Sequence, residues 1–525
     1  MRGRSHPAFF VSLAALVVVV AAACASPDPT PASGGTARIL VGAPTTLDPA
    51  RAGDASSSSV IAQLYETLTT FDEARQLQPA LAASWDIAPD ARRITFHLRP
   101  DLAFSDGSPL RASDVVRSWL RLLDPAAPSP LVNLILDVEG ASAYLGGRAP
   151  ADQVGLHADD GAGTVTVDLT RPSAEFVDVV SSPTFAIVPP DLQPSAGAAA
   201  GSDFVASGGY RLTDESATEL TLTANPTYWA GEPAVRTITL VTDLAGASPV
   251  EAFEDGRLDY ASIGGADASW IGYDEALGPR LRSVASLATD YFGFDTSRPP
   301  FDDVRVRQAF AAAVDWRRIA RLGNDDPAAV ATSMVPPGIP GRSDRDVVPV
   351  HDPGAARDRL AAAGYPAGKG FPTVTMLSAG TQYDEAIVRE LHDELGITLR
   401  AETMDFDDYF TRLDEDPPQV WSLTWVADYP GRNDFLGLLL GTGSVNNYGR
   451  WSSAAFDEAI ADAGAATDPG AEAAAYDRAE SIVQTDAPVI PVSYSTGWAL
   501  ARDGLLGAGQ NGLGIPRLAG LAWAP

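Results

Sequence analysis

Apolar and polar positions alternate with a period of two along short stretches of the first half of the chain, whereas longer, helix-like stripes dominate the second half. Ile94, Phe96 and Leu98 mark a half-buried strand over Arg92–Leu98, with His97 on the opposite, solvent face; Thr164–Leu169 repeats the pattern. Thr36–Val41 reads as a short strand. A helix follows, with Ile61, Leu64, Tyr65 and Leu68 at i, i+3, i+4, i+7 and the serine run Ser56–Ser59 at its start. Ser113 is expected to cap a helix through Val115, Val116, Trp119 and Leu122 that Pro125 stops, so a small α+β unit is expected over about 75 to 200. Phe204–Val241 is strand-rich, and a helix ending near Asp255-Gly256 precedes a short strand at Leu258–Ala261.

Beyond Tyr291 the periodicity predicts helices over Val304–Ala320, Ala355–Ala363, Asp384–Leu395 and Phe406–Leu413, and strands over Thr373–Leu377, Ile397–Glu402 and Gln419–Trp425. That alternation implies a parallel sheet covered by helices. The last strand breaks at Asp428-Tyr429-Pro430-Gly431. Ligand crevices of such sheets lie beyond the carboxyl ends of the strands, which is where Asp428 falls, between Trp425 and Tyr429 in sequence. A carboxylate between large rings is poorly solvated, and a ligand's ammonium group would match it. Asn446, Asn447, Tyr448 and Trp451 add amide and aromatic groups downstream. The plainer alternative makes Trp421 and Trp425 core residues and Asp428 the opening residue of an Asx-turn.

With 525 residues the chain is expected to fold as several units. Arg2 and Arg4 precede an apolar run over Ala8–Ala23, too short for a spanning helix, so residues 1–23 read as an export signal. Cys24, the only cysteine, follows Ala21-Ala22-Ala23 and resembles the lipidated cysteine of a bacterial lipobox, although Ala21 stands where Leu or Val is usual. Residues 24–35, rich in Pro, Ser and Gly, then form a flexible tether. A net charge of −31 excludes nucleic acid as a partner. The scattered histidines show no metal-ligand spacing, and no nucleophile or phosphate-loop motif is present, so no cofactor and no metal are expected.

Several segments together resemble the extracytoplasmic solute-binding proteins of peptide-type ABC importers, the oligopeptide, dipeptide and nickel-binding group. They include PALAASWDIAPDARRITFHLRPDLAFSDGSPLRASDVVRSW (Pro79–Trp119), SGGYRLTDESATELTLTANPTYW (Ser207–Trp229), FGFDTSRPPFDDVRVRQAFAAAVDWRRI (Phe292–Ile319), WVADYPGRNDFL (Trp425–Leu436) and PVIPVSY (Pro488–Tyr494). The resemblance implies an α/β, two-lobed periplasmic-binding-protein-like fold. One lobe would comprise residues 36–74, 200–290 and 488–525, with a small α+β domain, 75–199, inserted in it, and the other would be 291–487. It further implies that Asp428 pairs with a peptide's α-ammonium group, flanked by Trp425 and Tyr429, and that Tyr494 borders the cleft. Where the family often continues with Asp-Pro, this chain has Gly431-Arg432-Asn433, and Arg432 is expected to offset Asp428 or to meet a ligand carboxylate. The expected function is a monomeric, lipid-anchored receptor outside the cell membrane that passes a peptide or peptide-like solute to an ABC permease and catalyses nothing. The alternatives are a binder of a metal chelate or small saccharide, and a secreted glycoside hydrolase.

Overall fold

The computed structural model describes residues 35–192, 204–323, 329–378, 384–404, 406–508 and 512–525. The export segment, the tether and Cys24 lie outside them. Ten strands form the main sheet: β1 (Thr36–Leu40), β2 (Tyr210–Glu215), β3 (Glu219–Ala224), β4 (Thr237–Val241), β5 (Tyr260–Ile263), β6 (Leu281–Phe294), β7 (Val374–Ser378), β8 (Leu399–Thr403), β9 (Val420–Val426) and β10 (Val489–Ala501). Their order is β8-β7-β9-β6-β10-β5-β1-β4-β3-β2. β6 and β10, at 14 and 13 residues, are the longest, and they cross from one half of the sheet to the other. Their register shifts between Ala285 and Thr289 and again between Asp290 and Tyr291, so the ladder is irregular at mid-length.

The expected parallel sheet is only partly realised. β7 pairs parallel with β8 and, over Met376–Val420 and Leu377–Trp421, with β9, but β9 runs antiparallel to β6 along its whole length. Alternation along β9 sorts its side chains. Val420 joins the apolar layer under helices Val304–Ala313, Pro353–Ala362 and Asp384–Leu395, while Trp421 and Leu423 join the layer under Ala454–Ala465 and Pro469–Asp486. Gly293, paired with Trp421 across the ladder, leaves room for the indole: a Cβ there would lie 2.4 Å from it.

The helix expected over Val304–Ala320 is two helices, Val304–Ala313 and Trp316–Gly323. Val314 is extended, and the Asp315 carboxylate takes the Arg318 N–H at 3.0 Å, starting a new helix. Likewise, Ser113 does not cap its helix. The N-cap is Arg111, whose N–H is taken by Asp114, and Ser113 bonds Asp160 instead. The serine run sits inside the helix Ala55–Leu64, which Asp54 caps.

Strands Ala82–Ile87, Arg93–Leu98, Thr164–Asp168 and Leu156–Asp159 form a separate antiparallel sheet. Trp119, Phe176 and Phe185 pack edge to face beside it. This small unit touches the segment after β9, where the Ala174 N–H donates to the Gly464 carbonyl, and Tyr429 is counted in its core.

Candidate functional site

β9 carries the site because its two edges differ. The Ala427 N–H donates to Leu287 O at 2.9 Å and the Asp295 N–H to Gln419 O at 3.1 Å, which fixes the antiparallel phase: odd-numbered residues bond to β6 and even-numbered residues point their backbone groups away from it. β7 reaches only as far as Trp421, and the Tyr409 hydroxyl donates to the carbonyl of Ser422. Past that point, among the described residues, the N–H and C=O groups of Thr424 and Val426 meet no backbone partner, and both residues are exposed. Among the described residues, an open strand edge thus runs straight into Asp428.

Asp428 is half-buried, and its Oδ2 is enclosed without a hydrogen-bond partner. Burial pushes its carboxyl up to about 7. Among the described residues no backbone N–H donates to the Asp428 carboxylate, so the Asx-turn alternative has no bond behind it. The Asp428 N–H donates to Asp434 Oδ2 at 3.3 Å, and the same oxygen accepts Trp425 Nε1–H at 2.9 Å. Asp434 is wholly buried. Burial, then the charge of Asp428, pushes its carboxyl well above the carboxylate range.

The other predicted residues divide into three places. Tyr429 is fully buried, and its hydroxyl accepts from Asn433 Nδ2 at 3.3 Å. Arg432 does not reach Asp428; it is buried, its Nη2 bonds Asp477 Oδ1 at 3.1 Å and its guanidinium lies 4.8 Å from the centre of the Tyr476 ring. Asn446, Asn447 and Tyr448 gather around Trp421 and Tyr291 near the start of β9, roughly 23 Å of strand from Asp428 at about 3.3 Å per residue. Asn447 uses its amide internally, donating to the carbonyls of Leu440, Gly441 and Trp451 and accepting the Trp451 N–H. Tyr494 is buried on β10 beside Thr289, and its hydroxyl accepts the N–H groups of Thr332 and Ser333, both at 3.0 Å.

The sequence reading missed Asp434, Glu175 and Tyr476. Glu175 comes from the small unit, accepts the Tyr476 hydroxyl at 3.0 Å and the Asn433 N–H at 3.5 Å, and burial pushes its carboxyl up to about 7. Its approach explains Gly431, where a Cβ would stand 2.7 Å from Glu175 Oε1 and 2.2 Å from the Tyr429 ring. Asp434 had one legible signal, an acid set directly against the apolar run Phe435–Leu440.

The fold is that of the two-lobed periplasmic binding proteins. The chain belongs to the bacterial extracellular solute-binding proteins, family 5, whose middle-region model matches residues 76–447. It is 29% identical over 86% of both chains to a probable deoxycholate-binding periplasmic protein of Escherichia coli, and 27% identical over 88% of both to the murein peptide-binding protein MppA of the same organism. The solved structure of E. coli MppA superposes with a TM-score of 0.78 at 24% identity, covering 95% of this chain and 99% of that one. Haemophilus influenzae OppA in complex with RPPGFSPFR gives 0.75 at 24% identity, covering 94% and 100%. Members of this family are binding proteins and not enzymes, which removes the glycoside hydrolase alternative.

Proposed function

We propose that this protein captures peptides for import, pairing the ligand's backbone with the open edge of β9 and holding its α-ammonium group at Asp428. The observation that carries this reading is the pairing of two orphaned features. Backbone groups at Thr424 and Val426 that meet no backbone partner among the described residues suit an added strand, and the half-buried Asp428 carboxylate, with no cationic partner among the described residues, suits the cation at that strand's end. In this reading residues 36–74, 200–290 and 488–525 form one lobe, residues 75–199 the inserted domain and residues 291–487 the second lobe, and the lobes close over the ligand. A lipid on Cys24 holds the receptor at the outer face of the membrane, where an ABC permease receives the ligand. Trp425 lies beside the ammonium site, and Tyr429 and Arg432 brace its loop from behind. The chelate or saccharide alternative draws less support, because Asn447 has its amide engaged within its own loop.

The test is a cycle of Asp428→Asn against N-acetylation of a peptide mixture. Removing one partner of a buried charge pair costs about 2–5 kcal/mol, roughly a 30- to 3000-fold loss of affinity. The two changes should be strongly non-additive, since each deletes one half of the same pair. An Asp428→Asn variant that binds within about threefold of native sinks the reading.

A further inference from the structure

Two carboxylates meet behind the open edge, and between them two oxygens lack partners. Asp434 is wholly buried with its Oδ2 occupied by Trp425 Nε1–H and the Asp428 N–H, while its Oδ1 is enclosed and unpartnered, as is Asp428 Oδ2. Among the described residues no cation serves them: Arg432, the nearest in sequence, is engaged by Asp477 and Tyr476. One proton placed on Asp434 Oδ1 would make that oxygen a donor and give the Asp428 carboxylate a bond. We propose that Asp434 is held as a neutral acid that donates to Asp428, so that the pair presents a single negative charge to a single ammonium group. Asp434 is then a positioning residue. It fixes Trp425 and the Asp428 backbone through one oxygen and the Asp428 carboxylate through the other. This rests on the peptide reading above and adds a charge state and a residue to it.

The groups around the pair favour that state. Glu175 lies close enough to raise Asp434 further, and Asp434 in turn raises the buried phenol of Tyr429. Glu472, Tyr476 and Glu480 stand further back, and the charge of Arg432 bears on Glu175 and on these three rather than on the pair. Arg171 is matched by Asp137. A second full charge on Asp434 would meet burial and the like charges of Asp428 and Glu175, which outweigh the two hydrogen bonds that its Oδ2 accepts from Trp425 and the Asp428 N–H.

Two experiments test this. In the first, a mixture of free-amine tripeptides with randomised side chains is titrated into native protein, Asp434→Asn and Asp434→Ala across pH. The asparagine amide can donate to Asp428 and accept from Trp425, so it should bind within about threefold of native with an unmoved acid limb. Alanine leaves Asp428 without its donor; it should bind about tenfold or more weakly at neutral pH, with the acid limb displaced upward by about one pH unit. If Asp434→Asn falls as far as Asp428→Asn, or if Asp434→Ala keeps the native profile, the proposal is wrong. Failure of the mixture to bind native protein at all overturns the peptide reading, and this inference with it. The second experiment uses no ligand. A carboxyl raised in the fold takes up a proton on folding, so its contribution is greatest at low pH and is lost as pH rises above the unfolded value of about 4 toward the folded one. The native unfolding constant should therefore rise relative to that of Asp434→Asn as pH climbs above about 4, by up to about tenfold per pH unit while Asp434 keeps its proton, and a flat ratio refutes the proton.

Discussion

Val426→Pro separates the role of the β9 edge from the stability of the strand. Val426 sits at an even-numbered position, with its N–H turned away from β6, so proline removes no ladder bond. Trp425, the residue before it, is already in a strand, as proline requires. The folded state should therefore lose about 1 kcal/mol or less. The bound state should lose the Val426 N–H, about 0.5–1.5 kcal/mol net, or roughly 2- to 13-fold in affinity. If the ring also pushes the ligand strand off a neighbouring carbonyl, a second bond of the same size brings the loss to roughly 5- to 150-fold. Trp425→Pro is the counter-variant: it deletes a donor within the β6–β9 ladder and a partly buried indole, and should destabilise the protein by about 3 kcal/mol or more. Calorimetric titration of the tripeptide mixture and thermal unfolding, each with Val426→Ala as the side-chain control, give both readings. A proline variant that binds within about twofold of Val426→Ala shows that no ligand backbone pairs with this edge.

Two further outcomes are expected. Burial raises the Glu175 carboxyl to about 7 against the hydrogen bonds it accepts from Tyr476 and Asn433, so the stability this site contributes should fall as pH rises from the unfolded value of about 4 to about 7, and Glu175→Gln should remove that fall, read as thermal unfolding across this range. Cys24→Ser should leave peptide capture unchanged while moving the mature protein from the membrane to the soluble fraction, and a variant that still partitions wholly into detergent refutes the lipid anchor.

The half of the fold set by local pattern was readable in the chain, and the half set by distant pairing was not. β9 was legible because Trp421 and Leu423 face one apolar layer and Val420 the other, which writes period two into the sequence. The lengths of β6 and β10 were not legible, because these strands are stitched together over about 200 residues of sequence, and their mid-length irregularity carries no local signature. The helix break at Val314 was missed because the apolar stripe continues through it and only the cap at Asp315 interrupts it. At the candidate site, the strand-end position of Asp428 is legible from the turn Asp428-Tyr429-Pro430-Gly431 that breaks β9. Asn446 and Asn447 were grouped with it by sequence proximity alone, although a strand's length separates them in space.

Under the proposed peptide reading, the loop after β9, rather than the amide cluster, is the segment that would couple ligand capture to lobe closure. Ala427, the residue before Asp428, bonds Leu287, which lies inside the first irregularity of the β6–β10 ladder, where two long strands cross between the halves of the sheet with fewer regular bonds. On its other side the loop meets Glu175 from the small unit through Asn433, and Tyr429 sits in that unit's core. An ion pair formed at Asp428 therefore acts on a segment tied at one end to the crossing strands and at the other to a separate unit. If the lobes swing about that crossing, the ligand's charge meets both moving parts within a few residues, and its differential grip on open and closed forms, rather than any remote relay, sets the closure equilibrium.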